Sequence, residues 1–284
     1  MKRYTFNDFN QQFATDDACL DWLFHRFYPG GRLECKNCKK ETLHHRVQSR
    51  PSFSCDVCGN HVHPTAGTIF HKSSTSLRLW FYAIYLVSST RMGISAKQLE
   101  RELGVTYKTA WRMMKQIRSM MGDNEMDKLD GIVEVDETYM GGKVKGHYRK
   151  SDNKTPLMGM VERGGRVRTK VVKSDAGTNL LPLVRDNISK DATVMSDQLR
   201  AYNALPAMGY DHRSVNHKKA WAVGHTHTNT IEGFWSIFKA GTRGVYRTVS
   251  KQHLQSYANE YAFRYSHRNS EVPMFELLLS RITA

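Results

Sequence analysis

The sequence predicts a multidomain α+β and α/β protein: an N-terminal zinc ribbon, a helical helix-turn-helix segment, and a C-terminal mixed sheet flanked by helices. Three observations carry this. Two Cys-x2-Cys pairs, Cys35/Cys38 and Cys55/Cys58, stand 16 residues apart. Residues 75–121 keep helical periodicity throughout. From Gly131 onward three β-branched stretches come first, and helical and strand-like stretches then alternate.

Residues 1–31 form an N-terminal helical segment. Phe6, Phe9 and Phe13, then Leu20, Leu23, Phe24 and Phe27, recur at helical spacing and give two short helices, the second stopped by Pro29-Gly30-Gly31. Cys19 reads as a core residue of that helix. Residues 32–68 read as irregular, with Cys, His and Lys in clusters. Each cysteine pair can wrap a tight turn around one ion, and two pairs complete a tetrahedral thiolate site for structural Zn2+. The segment has too few large apolar residues to fold unaided, so the metal would supply folding free energy. His44, His45, His61 and His63 are possible substitutes, but four thiolates suffice. The plainer reading is four unrelated buried thiols. Lys36, Lys39, Lys40, Arg46 and Arg50 surround the site and fit a DNA-binding role.

Within residues 75–121, Leu77–Val87 is an apolar helix. A helix from Ser95, a turn at Gly104-Val105 and a second helix over Thr106–Arg118 follow. Ser95 and Thr106 suit the N-cap position. Leu99, Leu103, Val105, Trp111, Met114 and Ile117 make one small core, which leaves Tyr107, Lys108, Arg112 and Lys115 exposed on the second helix to meet DNA. The plainer reading is a three-helix bundle with a solvated basic face. Gly122–Asp130 is acidic, weakly structured and the preferred domain boundary.

In residues 131–284, strands are expected at Gly131–Met140, Leu157–Glu162 and Val167–Lys173, with Arg163-Gly164-Gly165-Arg166 as a hairpin turn. A helix at Asn179–Ile188, a strand at Ala192–Ser196, a helix at Leu199–Met208 and a strand at His212–Val215 follow; Thr230–Ala240 and His253–His267 are the last helices. Three acids stand out. Asp136 lies inside a β-branched strand, where a carboxylate is costly unless paired or metal-bound. Asp197 ends a strand, where open α/β sheets place ligands. Glu232 lies on a helix whose Ile231, Phe234, Trp235 and Phe238 face the core, while Asn229, Glu232, Ser236, Lys239 and Arg243 line a second stripe. Three such carboxylates can hold two divalent ions about 4 Å apart, with Lys239 on a phosphate. Structural readings stand beside each: Glu134 or Glu137 as the ligand in place of Asp136, Asp197 or Ser196 as a helix cap, and Asn229 with Glu232 as a capping box.

Lys and Arg number 42 against 27 Asp and Glu, a net charge of +15 and a pI near 9.6, which favours a polyanionic partner. The polar start lacks the apolar stretch of a signal peptide. The longest apolar run, Leu79–Val87, is far short of the roughly 20 residues that span a bilayer. No membrane role and a cytoplasmic location are expected, where thiols stay reduced.

At this point the chain resembles bacterial insertion-sequence transposases of the ISXO2-like type, the IS1595 family, over nearly its whole length. The motifs are the paired cysteines, Val135-Asp-Glu-Thr-Tyr-Met-Gly-Gly-Lys143, Ser196-Asp197, His227-Thr-Asn-Thr-Ile-Glu-Gly-Phe-Trp-Ser-Ile-Phe-Lys239 and Asn259-Glu-Tyr-Ala-Phe-Arg-Tyr265. The resemblance implies an RNase H-like catalytic fold and a DDE mechanism using two Mg2+ or Mn2+ ions. Asp136 and Asp197 match the first two acids. Glu232, with Lys239 seven positions on, matches the third, and Asn229 is a second candidate. The implied reaction is hydrolysis at transposon ends, then attack of the freed 3′ hydroxyl on target DNA. The implied partner is double-stranded DNA, bound by a homodimer or larger assembly. His217, His225 and His227 lie near this site in sequence. Three other functions stay open: a catalytically silent zinc-ribbon and helix-turn-helix regulator, an RNase H-like nuclease that cuts without joining, and a zinc-binding interaction protein with no DNA role.

Overall fold

The computed structural model describes residues 3–122, 127–141, 154–215 and 225–283. It divides into two compact units, Met1–Met120 with Ser270–Ala284, and Met121–Asn269.

The first unit begins with helices α1 (Phe6–Gln12) and α2 (Asp16–Phe27). Thr5 and Thr15 cap them, their side chains accepting from the backbone N–H of Asp8 and Ala18. A 3-10 turn at Pro29–Gly31 ends α2. The next segment corrects the expectation of irregular chain. It is an antiparallel sheet of β1 (Arg32–Glu34), β2 (Glu41–Val47), β3 (Ser52–Cys55) and β4 (His61–Val62), in that order. Its strands escaped notice because they are short and polar. The pairing is set by the two cysteine turns, which reverse the chain between β1 and β2 and between β3 and β4. Its main apolar anchor is Phe53, stacked on Phe24 of α2 with centroids 3.7 Å apart.

Helices α3 (Leu77–Ser89), α4 (Ala96–Leu103) and α5 (Tyr107–Ser119) follow, each started by a side-chain cap from Ser76, Ser95 or Thr106. Gly104 turns the chain after α4 at φ +64°, a conformation glycine adopts without penalty. Ala110, Met113, Met114 and Ile117 are buried, whereas Trp111, expected in this core, is only half-buried. The last helix, α9 (Met274–Ser280), packs on α3, with Phe275 among Phe9, Phe13 and Tyr85. Residues 270–284 therefore group with the first unit, although the sequence assigned them to the sheet domain. Their buried Phe275, Leu278, Leu279 and Ile282 need this aromatic cover.

The second unit holds β5 (Ile132–Met140), β6 (Thr155–Glu162), β7 (Val167–Val171), α6 (Gly177–Asn187), β8 (Thr193–Ser196), β9 (Asp211–Ser214), α7 (Asn229–Gly241) and α8 (Leu254–Ser266). The sheet order is β7-β6-β5-β8-β9: β5, β6 and β7 form an antiparallel meander, and β8 and β9 join it in parallel. The helix expected over Leu199–Met208 is instead two 3-10 turns, Arg200–Ala204 and Pro206–Met208. Pro206 has no N–H to continue an α ladder.

Strand alternation gives β5 two different faces. Val133 and Val135 join Met158, Met160, Leu180, Val184 and Tyr202 in one core. On the other face Leu157 and Val161 of β6 pack with Ile231, Phe234, Trp235 and Phe238 of α7 and Tyr261 of α8. Glu134 and Asp136 belong to this second face, beneath α7. Among the described residues, no helix is long and apolar enough to cross a membrane.

Candidate active site

The parallel pairing of β5 with β8 aligns Glu134 with Met195. Two residues further along each chain stand Asp136 and Asp197, at the same level on adjacent strands. Asp197 follows the end of β8, and its Oδ1 accepts from the Leu199 N–H at 2.9 Å. Ser196 is buried, and its Oγ lies 2.9 Å from Nε2 of His212 on β9. The helix cap suggested for Asp197 or Ser196 is not made, since the following 3-10 turn has Leu199 at its N-cap and no side-chain cap; Asp197 instead closes a local turn onto the Leu199 N–H that holds its carboxylate in place.

Glu232 is brought in by α7, which approaches the sheet closely because residue 159 is glycine. A Cβ at Gly159 would lie 2.5 Å from Trp235 Cζ2 and 2.8 Å from Ile231 Cδ1. Gly159 is also the β6 partner of Asp136. The glycine therefore lets Trp235 lie over the sheet beside that acid. Burial first, and then the negative charge of Asp197, push the Asp136 carboxyl up to about 7. Glu232 adds to the rise, while the Glu137 backbone and the Trp235 indole oppose it. The Trp235 N–H is buried and has no hydrogen bond of standard geometry among the described residues; it acts on Asp136 at longer range. Asp136 thus feels the negative charge of both Asp197 and Glu232, a setting that favours a cation beside it. The three acids are spaced more widely than the cysteines described below, which are the set of metal-ligating groups converging within 4.8 Å among the described residues.

Glu134 has a different task. It is fully buried, and both its oxygens are engaged. Oε1 accepts from Arg163 Nε at 2.6 Å and from the Thr230 hydroxyl at 2.9 Å, and His227 Nδ1 lies 3.2 Å away. Oε2 accepts from the backbone N–H groups of Thr230 and Ile231 at 2.8 and 3.0 Å. A strand carboxylate therefore caps the positive N-terminus of α7 from outside the helix. Arg163 completes the clamp by donating to the carbonyls of His225 and His227 at 2.9 and 3.0 Å.

The capping box expected from Asn229 and Glu232 is not built that way. Thr228 is the N-cap residue, its hydroxyl donates to Glu232 Oε1 at 3.0 Å, and Asn229 is an exposed first residue. Lys239 sits two turns along α7, half-buried. His227 belongs to the clamp, and His217 lies outside the described residues. Glu137 points to the opposite side of β5, where the Tyr202 hydroxyl donates to it. Burial, followed by Asp136, Asp197 and Asp175, pushes its carboxyl up to about 9. Sequence reasoning passed over Arg163 and Thr230. The available signal was Glu134 itself, a buried-strand carboxylate that required partners.

In the first unit the four cysteines converge. Cys35 and Cys58 sulfurs are 3.5 Å apart, and those of Cys38 and Cys55 are 3.9 Å apart. A tetrahedral ion with Zn–S bonds of about 2.3 Å needs sulfurs about 3.8 Å apart, so the donor set fits Zn2+. The two turns repeat one design. Cys35 and Cys55 donate their N–H groups to Lys40 and Asn60, each at 2.9 Å, and Lys39 and Gly59 take positive φ. The Thr42 hydroxyl, 3.2 Å from the Cys55 sulfur, draws that thiol down to about 6, which favours the thiolate a metal requires.

The sequence pattern of the ISXO2-like transposase domain matches residues 128–266, the span from the edge of β5 to the end of α8. A transposase-like protein of Haemophilus influenzae is 30% identical over 107 residues, 38% of this chain and 85% of that protein. This chain belongs to the ISXO2-like transposase family. A protein in transposable element ISH50 of Halobacterium salinarum is 27% identical over 253 residues, 81% of this chain and 84% of that one. A chain of a pre-cleavage Mos1 transpososome is 12% identical, covering 68% of this chain and 75% of its own, and its TM-score of 0.29 is too low to argue from.

Outside the matched transposase domain, α5 presents Tyr107, 49% exposed, with Lys108 and Lys115 also exposed. Arg112 departs from the expected exposure. Its Nη2 donates to Ser73 Oγ at 3.0 Å, and its guanidinium lies 5.7 Å from the Trp80 ring. Half-buried and held from both sides, it is part of the packing of α5 on α3.

Proposed function

We propose that this member of the ISXO2-like family is an active DNA transposase, which binds the terminal inverted repeats of an insertion sequence and catalyses strand cleavage and strand transfer. The observation that carries the reading is the convergence of three elements on Asp136: the charges of Asp197 after β8 and Glu232 on α7 both raise the carboxyl of Asp136 on β5. The meander with two added parallel strands supports an RNase H-like fold for residues 131–269 in this reading.

Asp136, Asp197 and Glu232 would hold two Mg2+ or Mn2+ ions, which supply activation of the attacking oxygen and stabilisation of the leaving one. Oxygen ligands of this kind suit hard divalent cations. Lys239 steadies a DNA phosphate, Asn229 at the start of α7 is the alternative third ligand, and Glu134 keeps α7 in place. In the first unit Cys35, Cys38, Cys55 and Cys58 hold structural Zn2+. Helices α4 and α5 act as a helix-turn-helix, with Tyr107, Lys108 and Lys115 facing DNA, while Arg112 packs α5 onto α3 instead. The working form on DNA is a homodimer or larger assembly in the cytoplasm.

The reading is tested by Asp136→Asn. Strand joining should vanish while binding to the terminal repeat stays near that of the unaltered protein. Equal loss of both would remove Asp136 from the catalytic set.

A further inference from the structure

Beyond Lys239 the chain does something that neither the acids nor the α7 core requires. After Gly241, α7 passes into a π turn, Thr242–Tyr246, a rare form often found at functional sites. Arg247 follows at φ +66°, ψ −63°. The Thr248 N–H donates to the Tyr246 carbonyl at 2.7 Å. This is a γ-turn of the rare, strained kind, centred on an arginine.

Strain persists only where the surroundings impose it, and here they do. The Tyr246 hydroxyl donates to both oxygens of Glu260, at 2.8 and 2.9 Å. Glu260 is fully buried and paired with Arg264 at 2.8 Å. The Thr242 hydroxyl donates to the Phe238 carbonyl at 2.6 Å. Residue 241 must be glycine, since a Cβ there would lie 1.9 Å from the Tyr261 hydroxyl oxygen. What this construction holds in place is Arg243 and Arg247, both exposed. They follow Lys239 by four and eight residues, Arg243 in the π turn that continues α7 and Arg247 just beyond it.

We propose that Arg243 and Arg247, continuing from Lys239, form a ridge that grips the phosphate backbone of the target DNA duplex beside the catalytic acids. The inference rests on the transposase reading above. Lys239 to Arg243 is about one helical turn, roughly 6 Å of rise, close to the axial spacing of two phosphates on one strand, and Arg247 lies past the π turn that follows. Arginine and lysine contacts to phosphate position a duplex without reading its sequence. That is the requirement for the DNA that receives an element, whereas the terminal repeat must be told from other sequences. The chain's charge of +15 supplies the complementarity.

The test compares the full chain with Arg243→Gln, Arg247→Gly and the double variant. Binding of a random-sequence duplex is followed through a salt series. Joining of a pre-cut terminal-repeat duplex to plasmid DNA and cleavage of an uncut repeat are measured in parallel. The salt slope should fall by about one for each arginine removed. Joining should fall about tenfold in the double variant, a loss of that order following from two phosphate contacts, while cleavage holds. Arg247→Gly should also raise Tm by about 2–4 °C, because glycine accepts this φ without strain. An unchanged slope, or a lowered Tm for Arg247→Gly, would overturn the ridge. Equal loss of cleavage and joining would assign the ridge to the transposon end and overturn the target reading. An unaltered protein that neither cuts nor joins would refute the transposase reading instead, and the salt slope would still decide the ridge.

Discussion

Replacing Glu134 by alanine should be among the most damaging single changes in the second unit, although Glu134 is assigned no metal. Its carboxylate receives the Arg163 guanidinium, the Thr230 hydroxyl and two backbone N–H groups of α7, all at 2.6–3.0 Å, and is fully buried. Alanine removes the acceptor and strands every donor. Breaking a buried, hydrogen-bonded ion pair from one side costs about 3–5 kcal/mol, a large share of the roughly 5–15 kcal/mol that holds a domain folded. At about 2–4 °C per kcal/mol, Tm should fall by roughly 6–20 °C. The assay is thermal unfolding with hydrogen exchange on the α7 amides. Exchange at Thr230 and Ile231 should rise more than exchange at β6. The isosteric Glu134→Gln keeps an acceptor but turns an NH2 group toward donors, and should fall between the two. A Tm change under about 2 °C for Glu134→Ala, less than 1 kcal/mol, would refute the clamp.

Further outcomes follow from the same geometry. Gly159→Ala places a Cβ against Trp235 and Ile231, so it should cost about 1–3 kcal/mol and, by lifting Glu232 from Asp136, lower cleavage by about a hundredfold; near-normal activity would show that α7 tolerates displacement. Asp136 and Glu137 carboxyls are pushed up to about 7 and about 9. The folded chain therefore keeps protons that the unfolded chain has released, and metal-free protein should lose Tm as pH rises from about 4 to about 9. Added Mg2+ should recover part of it, and a Tm rising with pH would contradict the buried-acid geometry. Chelating zinc should unfold residues 32–68 and leave the five-stranded sheet intact by circular dichroism; loss of the sheet in the same step would contradict two separately folded units.

Much of this was legible in the sequence because it rested on periodicity. The α7 stripe, with Ile231, Phe234, Trp235 and Phe238 inward, needs only helical spacing, and the structure buries all four. The strand at 132–140 follows from its β-branched run, and the cysteine pairs announce their cluster by spacing alone. What escaped notice depends on distant partners. The ribbon strands are paired through their turns rather than by an apolar pattern. The destination of α9 depends on an aromatic cluster more than 180 residues upstream. Arg112 looked free on a helical wheel, but Ser73 and Trp80 hold it. Asn229 and Glu232 matched a capping box, yet the actual cap comes from Glu134, nearly a hundred residues earlier. The strain at Arg247 has no sequence signature, since nothing local marks an arginine for positive φ.

The central claim is that Asp136, Asp197 and Glu232 together carry metal-dependent strand transfer. The most direct measurement is a strand-transfer assay with Mg2+ or Mn2+ and a duplex bearing the flanking terminal repeat, with Glu232→Gln and Asn229→Ala run beside the unaltered chain. Joined product should form with the unaltered chain, disappear with Glu232→Gln and persist with Asn229→Ala. Joined product that survives Glu232→Gln, or tight binding to the repeat with no joining by the unaltered chain, would contradict it.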